Sequence, residues 1–112
     1  MCGIFGIIST KKENIYKIII AGLIQLQNRG YDSSGLCVLK NRKLEVHKYA
    51  STNTDTSIDK LINLHLAPND GEEIYQGMGH NRWATHGMKN DANAHPHISN
   101  DQLFSIVHNG II

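Results

Sequence analysis

The sequence predicts an α+β domain. Three observations carry this prediction: an isoleucine-rich apolar run at the start of the chain, a following segment whose apolar residues recur with the spacing of one helix face, and a series of short apolar segments separated by turn residues. With 112 residues, of which 40% are hydrophobic, the chain is long enough to bury a core but amounts to one domain at most.

The chain begins with a predicted strand and a predicted helix. Residues 2–9 form the apolar run and predict a buried strand. The helical segment covers residues 15–26 and has Gly22 on its apolar face, where a glycine allows a close packing contact. Residues 28–30 end this helix, because Gly30 suits a left-handed C-terminal cap.

The remaining elements are shorter, and turn residues mark their limits. We expect, in chain order, strands at 35–39 and 44–49 joined as a hairpin by residues 40–43, a polar linker at 51–57, a short helix at 59–66, a turn at 68–71, and strands at 74–83 and 103–108. The sequence ends on an apolar segment without a polar tail, which would leave a sheet edge unpaired. We therefore expect this sequence to be the first part of a longer domain.

Composition excludes several classes of function. Eleven basic and ten acidic residues give a formal charge of +1, so no basic surface for nucleic acid or anionic membranes is expected. Two cysteines do not form a disulfide framework, and no signal peptide or membrane-spanning stretch is apparent. These features predict a soluble, cytoplasmic protein.

The position of Cys2 directly behind the initiator methionine is unusual. If Met1 is removed, the thiol of Cys2 lies beside a free α-amine with a pKa of about 7.7–8.0, which can accept a proton near neutral pH. A terminal amine that activates the nucleophile of its own residue is an established catalytic arrangement. The alternative is a small apolar residue at the start of a buried strand, and these first residues alone leave both interpretations open.

The segment HNRWATHG at 80–87 is a second candidate for chemistry. Arg82 leaves the predicted strand, and its planar guanidinium suits bidentate binding of a carboxylate. Thr85, His86 and Gly87 follow in a loop that could offer backbone groups to a ligand. A solvated surface arginine in an ordinary loop is the alternative, and Arg82 taken alone favours it.

The pair Asn109-Gly110 also allows two interpretations. An Asn-Gly pair is the strongest short signal for a hairpin turn. A side-chain amide next to a glycine N–H is also the donor pair of an oxyanion hole, as acyl transfer requires.

Five of the seven histidines lie between positions 80 and 108, at positions 80, 86, 95, 97 and 108. His95-Pro96-His97 is similar to a metal-binding corner. However, no cysteine or carboxylate stands at the spacing of a closed zinc site. We therefore expect neither a metal nor another cofactor, and keep a histidine-rich metal-binding module only as an alternative.

Taken together, the motifs resemble those of a known family. MCGI at the start, RGYDS at 29–33, RWATHG at 82–87, NAHPH at 93–97 and HNG at 108–110 occur in the order typical of class II glutamine amidotransferases. Within that family the sequence most resembles the glutaminase domain of the isomerising glutamine–fructose-6-phosphate aminotransferases. Amidophosphoribosyltransferases usually have RGQD, and asparagine synthetases have RGPD, where this sequence has RGYD.

The resemblance implies a mechanism centred on the N-terminal residue. Cys2 corresponds to the nucleophile that attacks the side-chain amide of glutamine and forms a γ-glutamyl thioester. Its α-amine corresponds to the general base that relays the proton to the departing ammonia. Asn109 and Gly110 correspond to the oxyanion hole.

The resemblance also implies substrate contacts. Arg82 would hold the α-carboxylate of glutamine, with nearby contacts from Thr85 and His86, and Arg29 and Gly30 would help to orient the chain terminus.

Other residues of the motifs would act around the site. Trp83 would lie near the route by which ammonia leaves, and Asp32 and Ser33 would support the loop. Cys37 gains no role from the resemblance and is interpreted as a buried core residue.

The implied fold is the αββα sandwich of N-terminal-nucleophile enzymes, of which residues 1–112 would form only the N-terminal half, a partial type 2 glutamine amidotransferase domain. The implied partners are L-glutamine and, through further domains, fructose 6-phosphate, which would be converted to glucosamine 6-phosphate; a homo-oligomer stays open. The alternatives are a truncated, non-catalytic remnant, a fragment that complements another chain, or a different class II amidotransferase.

Overall fold

A computed structural model describes residues 2–27, 32–83 and 88–109. The described residues form six strands, two α-helices and one short 3-10 helix at Asp91–Asn93. In chain order these are β1 (Gly3–Ile8), α1 (Ile15–Gln25), β2 (Ser33–Lys40), β3 (Lys43–Ala50), α2 (Ser57–Ile62), β4 (Ile74–Arg82), β5 (His97–Ile98) and β6 (Ser105–Ile106). The predicted α+β class is confirmed at this level.

Four strands form one antiparallel sheet in the order β1-β4-β2-β3. In this register Gly3 of β1 lies opposite Asn81 of β4, and Ser33 of β2 lies opposite Arg82. Because paired strands run in opposite directions, the first residues of β1 and β2 both lie beside the last residues of β4. Segments that are far apart in the chain therefore meet at one end of the sheet.

The hairpin between β2 and β3 is tighter than predicted. Asn41 and Arg42 alone form its turn, with φ of 50° and 69°. Two successive left-handed residues are typical of the turns that match the twist of a two-stranded hairpin. Lys40 therefore pairs directly with Lys43, where the sequence indicated a connection of four residues.

The two α-helices cover one face of this sheet and form the apolar core with it. Ile15, Ile19 and Leu23 of α1 are fully buried, which confirms the predicted helix face. The predicted close contact at Gly22 is also confirmed, since a β-carbon added there would lie 2.3 Å from the ring of Phe5. Only glycine lets α1 approach β1 this closely.

Helix α2 begins and ends earlier than the predicted range 59–66. The Thr56 side chain accepts a hydrogen bond from the N–H of Asp59 at 3.2 Å, which caps a helix that starts at Ser57. The helix ends at Ile62, and His65 has a φ of 50°, which an α-helix does not contain.

A buried polar contact joins the end of α1 to β4. The amide of Asn81 donates to the carbonyl oxygen of Leu23 at 2.7 Å and accepts from the hydroxyl of Ser34 at 2.7 Å. Asn81 and Ser34 are almost completely buried, so each needs these partners. The contact fixes the last turn of α1 against the sheet.

Residues 88–109 lie partly over the opposite face of the sheet. They contain the two-stranded β5–β6 sheet, in which β5 was not predicted and β6 is shorter than the predicted strand 103–108. A β-carbon at Gly35 would lie 2.0 Å from the carbonyl oxygen of His95, so this segment contacts the β2 backbone closely. The rest of the face exposes Ile4 and Ile8, and a groove of about 530 Å³ is lined by residues of all four large-sheet strands.

Candidate active site

The thiol of Cys2 lies at the end of the sheet where β1 and β4 meet. The N–H of Trp83 donates a hydrogen bond to Sγ of Cys2 at 3.3 Å, and the thiol lies 3.7 Å from the carbonyl oxygen of the same tryptophan. This contact follows from the antiparallel register, because Cys2 precedes β1 and Trp83 follows β4. Cys2 is half-buried, and the Trp83 side chain beside it is 43% exposed.

The side chain of Asn109 reaches the same residue from the other end of the chain. Its Nδ2 donates to the carbonyl oxygen of Cys2 at 3.1 Å, although 107 positions separate the two residues. Its Oδ1 lies 2.8 Å from Nε2 of His80. The amide of Asn109 therefore bridges the backbone of Cys2 and an imidazole of β4.

The last residue of β4 is held by backbone and side-chain contacts. The carbonyl oxygen of Arg82 accepts from the N–H of Asp32 at 2.9 Å, and its guanidinium donates to the carbonyl oxygen of Met88 at 3.0 Å. Asn93 donates to the same carbonyl oxygen at 2.9 Å. Asp32 also forms an ion pair with Lys89 at 3.4 Å.

Three imidazoles pack together beneath this site. The rings of His80 and His95 stack with their centroids 4.4 Å apart, and the ring of His97 lies 4.5 Å from that of His95. His80 is 1% exposed, and its burial lowers its pKa from the usual range. Burial, followed by the neighbouring positive charges of His80, His97, Arg82 and Lys48, lowers the pKa of His95 to about 4.

This stack does not have the geometry of a metal site. The lone pair of an imidazole nitrogen lies in the plane of the ring, so the stacked rings of His80 and His95 do not direct their nitrogens to a common point. The ring of His97 is tilted by 57° from that of His95. His95 already accepts a hydrogen bond at Nδ1 from the N–H of His108, at 3.3 Å. Among residues 2–27, 32–83 and 88–109, no group of three or more potential ligands is arranged to hold a metal ion.

Of the predicted site residues, the structure describes Cys2, Arg82, Trp83 and Asn109. Trp83 and Asn109 each hydrogen-bond to Cys2. The others lie outside the described residues: Arg29, Gly30, Thr85, His86 and Gly110.

One residue at this site was not predicted as part of it. His80 belongs to the motif HNRWATHG, but the sequence indicated it only as one of several histidines. No sequence pattern relates His80 to Asn109, because their contact depends on how residues 88–109 fold over the sheet.

The comparison with known proteins agrees with the motifs. Over its whole length the chain is 42% identical to a glutamine–fructose-6-phosphate aminotransferase [isomerizing] of Clostridium perfringens and 41% identical to one of Sulfolobus acidocaldarius. It is 40% identical to a probable enzyme of the same name from Acanthamoeba polyphaga mimivirus. The predicted relationship to these aminotransferases is confirmed.

The chain spans only 17–18% of the length of these aminotransferases. No protein-family model matches it. Neither helix among the described residues is long and apolar enough to cross a membrane.

Proposed function

We propose that the chain forms the glutamine-hydrolysing part of an aminotransferase that makes glucosamine 6-phosphate from fructose 6-phosphate. One observation carries the glutaminase part: Trp83 and Asn109 both hydrogen-bond to Cys2, although 81 and 107 positions separate them from it in the chain. The acceptor rests on the names of the relatives, and the product rests on the family resemblance of the motifs.

The reaction starts at the thiol of Cys2 after removal of Met1. The free α-amine accepts the thiol proton while sulfur attacks the side-chain carbonyl carbon of glutamine. The amine then returns its proton to the leaving nitrogen as the carbon–nitrogen bond breaks. Ammonia departs, and a γ-glutamyl thioester remains on Cys2. Water adds to this thioester, glutamate is released and the thiol is restored.

Asn109 and Gly110 supply the oxyanion hole in this proposal. Support comes from the position of the Asn109 amide, whose Nδ2 lies 3.1 Å from the carbonyl oxygen of the nucleophilic residue. A donor held this close to Cys2 is suited to stabilise the negative oxygen that forms beside the sulfur. Loss of one oxyanion-hole donor lowers kcat by about 10²–10³-fold where it has been measured in acyl transfer.

Arg82 binds the α-carboxylate of glutamine in this proposal. Its carbonyl oxygen accepts from the N–H of Asp32, and its guanidinium donates to the carbonyl oxygen of Met88. These contacts hold both the backbone and the side chain of Arg82 at the end of β4. Thr85 and His86 contribute nearby contacts, and Trp83 borders the route by which ammonia leaves.

Arg29 and Gly30 orient the chain terminus in the same scheme. Asp32, the next described residue after them, bonds to the backbone of Arg82 at the end of β4, and the first residues of β1 lie beside the same end of β4.

The proposed fold is the first half of an N-terminal-nucleophile αββα sandwich. The support is the asymmetry of the large sheet: helices cover one face, whereas β5 and β6 begin a second layer over only part of the other. The apolar groove on that face is of the kind that a second sheet covers in a sandwich.

The test uses a diazoketone analogue of glutamine and the intact mass of the purified chain. We expect loss of Met1 and one adduct, which excess glutamine prevents. The variant Cys2→Ala should form no adduct. The matched control is Cys37→Ala, which should react like the wild type, because Cys37 is 2% exposed and burial raises the pKa of its thiol.

The results separate the parts of the proposal. Retention of Met1 would contradict the terminal amine as the base. An adduct on Cys37, or one that glutamine does not prevent, would contradict a glutamine pocket at Cys2. Release of glutamate from glutamine by wild type, but not by Cys2→Ala, would support the full reaction.

A further inference from the structure

We propose that His80 is a positioning residue that fixes which end of the Asn109 side-chain amide faces Cys2. The inference rests on the proposed function, in which the Nδ2 group of Asn109 stabilises the oxyanion. His80 does not touch the substrate in this proposal and acts only through Asn109.

The hydrogen bonds around Asn109 allow only one orientation of its amide. The carbonyl oxygen of Cys2 can only accept a hydrogen bond, so the group that faces it at 3.1 Å is Nδ2. Oδ1 then faces Nε2 of His80 at 2.8 Å and requires a donor there. His80 therefore carries its proton on Nε2, and the reversed amide would bring oxygen against oxygen at Cys2 and donor against donor at His80.

His80 is well placed to impose this orientation because it lies on a rigid element. It is paired on both sides, with Ile4 of β1 and Gly35 of β2, and it is 1% exposed. Its ring also stacks on His95 with an angle of 24° between the ring planes. Asn109, by contrast, is exposed and follows the two-residue strand β6. The fixed partner thus determines the position of the less supported one.

This role requires a hydrogen-bond donor but no proton transfer. Both the neutral Nε2–H tautomer and the imidazolium donate from Nε2, so the orientation of Asn109 persists if His80 is protonated. A glutamine at position 80 can present an N–H at the place of Nε2, whereas a leucine of similar size cannot. The comparison of His80→Gln with His80→Leu therefore isolates the donor.

The first experiment uses the wild-type chain and does not depend on activity. Long-range proton–nitrogen NMR spectra of the labelled chain report the tautomer of each histidine, and His80→Gln identifies the His80 signals by their loss. We expect Nε2 of His80 to carry the proton at neutral pH. A proton on Nδ1 alone would overturn the proposal, because Nε2 would then be an acceptor.

The second experiment measures kcat and KM for glutamine hydrolysis. His80→Leu should lower kcat by about tenfold or more, but by no more than Asn109→Ala, for which we expect about 10²–10³-fold. KM should change little, and His80→Gln should recover most of the wild-type kcat. An equal loss in His80→Gln and His80→Leu would indicate a general structural role and overturn the proposal.

A double variant distinguishes positioning from an independent effect. In the Asn109→Ala background, His80→Leu should cause no further loss of kcat, because the group that it positions is absent. A full additional loss would overturn the proposal. If wild type does not hydrolyse glutamine, the proposed function fails, while the tautomer of His80 still decides whether it orients Asn109.

Discussion

The two faces of the large sheet differ in how their residues are brought together. On one face, α1 and α2 cover an apolar core whose members include the fully buried Ile19, Leu36 and Leu61. On the other face, at the end nearest Cys2, the ring of His80 stacks on that of His95 and hydrogen-bonds to Asn109. Apolar side chains such as Ile8 are exposed on the rest of this face.

The two faces therefore differ in what their contacts contribute. The helix-covered face consists of apolar residues that recur regularly within single elements, and burial of such residues is the main favourable contribution to folding. The imidazole and amide contacts join residues of different elements in specific orientations, and one of them places the amide of Asn109 against the backbone of Cys2.

The largest effect is expected from the helix-covered face. Ile19→Ala should lower the free energy of unfolding by about 2–5 kcal/mol, because it removes fully buried methyl groups and leaves a cavity. Urea unfolding followed by circular dichroism measures the change. The matched control is Ile24→Ala on the same helix, where the side chain is 44% exposed and the expected loss is under about 1 kcal/mol. Equal losses in both variants would contradict the described orientation of α1.

An intermediate effect is expected from the imidazole stack, and it depends on pH. In the folded chain the pKa of His95 is lowered from 6.5 to about 4, chiefly by burial. Between these values the unfolded chain binds more protons than the folded chain, so stability increases with pH in this window. The free energy of unfolding should therefore fall as the pH is lowered from about 6.5 to about 4.

Replacement of His95 should weaken this pH dependence. His95→Gln is compared with His65→Asn, which removes an exposed histidine at a left-handed position that asparagine tolerates. Unfolding curves at several pH values between 4 and 7 measure the slope. An unchanged slope in His95→Gln, or an equal reduction in both variants, would contradict the lowered pKa of His95 in the folded chain.

The smallest effect is expected on the sheet face opposite the helices, at the end where its apolar side chains are exposed. Ile8 is 84% exposed, so Ile8→Ser should change the free energy of unfolding of the chain by no more than about 0.5 kcal/mol. Measurement at two protein concentrations checks that the chain does not cover this face with a second copy. A loss comparable to that of Ile19→Ala would show that the face is covered in solution and would remove the contrast between the two faces.

Periodicity was sufficient for the elements that bury one regular face. The spacing of apolar residues placed the start of α1 at Ile15 and identified Gly22 as a contact position. It did not predict β5, because His97 and Ile98 lie beside a proline in a polar segment and pair only with the short β6. Two-residue strands are too short to show an alternating pattern.

The candidate site was predicted only in part, for a similar reason. The motifs predicted Cys2, Arg82 and Asn109 as site residues, and in the structure Asn109 contacts the backbone of Cys2. The orientation of Asn109 by His80 could not be predicted, because a hydrogen bond depends on distances and angles between groups that the chain places far apart.

The sequence by itself determined the α+β class, the apolar face of α1 and the motifs that relate the chain to glutamine–fructose-6-phosphate aminotransferases. These depend on composition and short-range spacing, which a linear sequence displays directly. Only the tertiary structure decided that Trp83 and Asn109 reach Cys2 at one end of the sheet and that His80 hydrogen-bonds to Asn109. The antiparallel register and the packing of residues 88–109 over the sheet create these contacts, and neither is expressed in a local pattern.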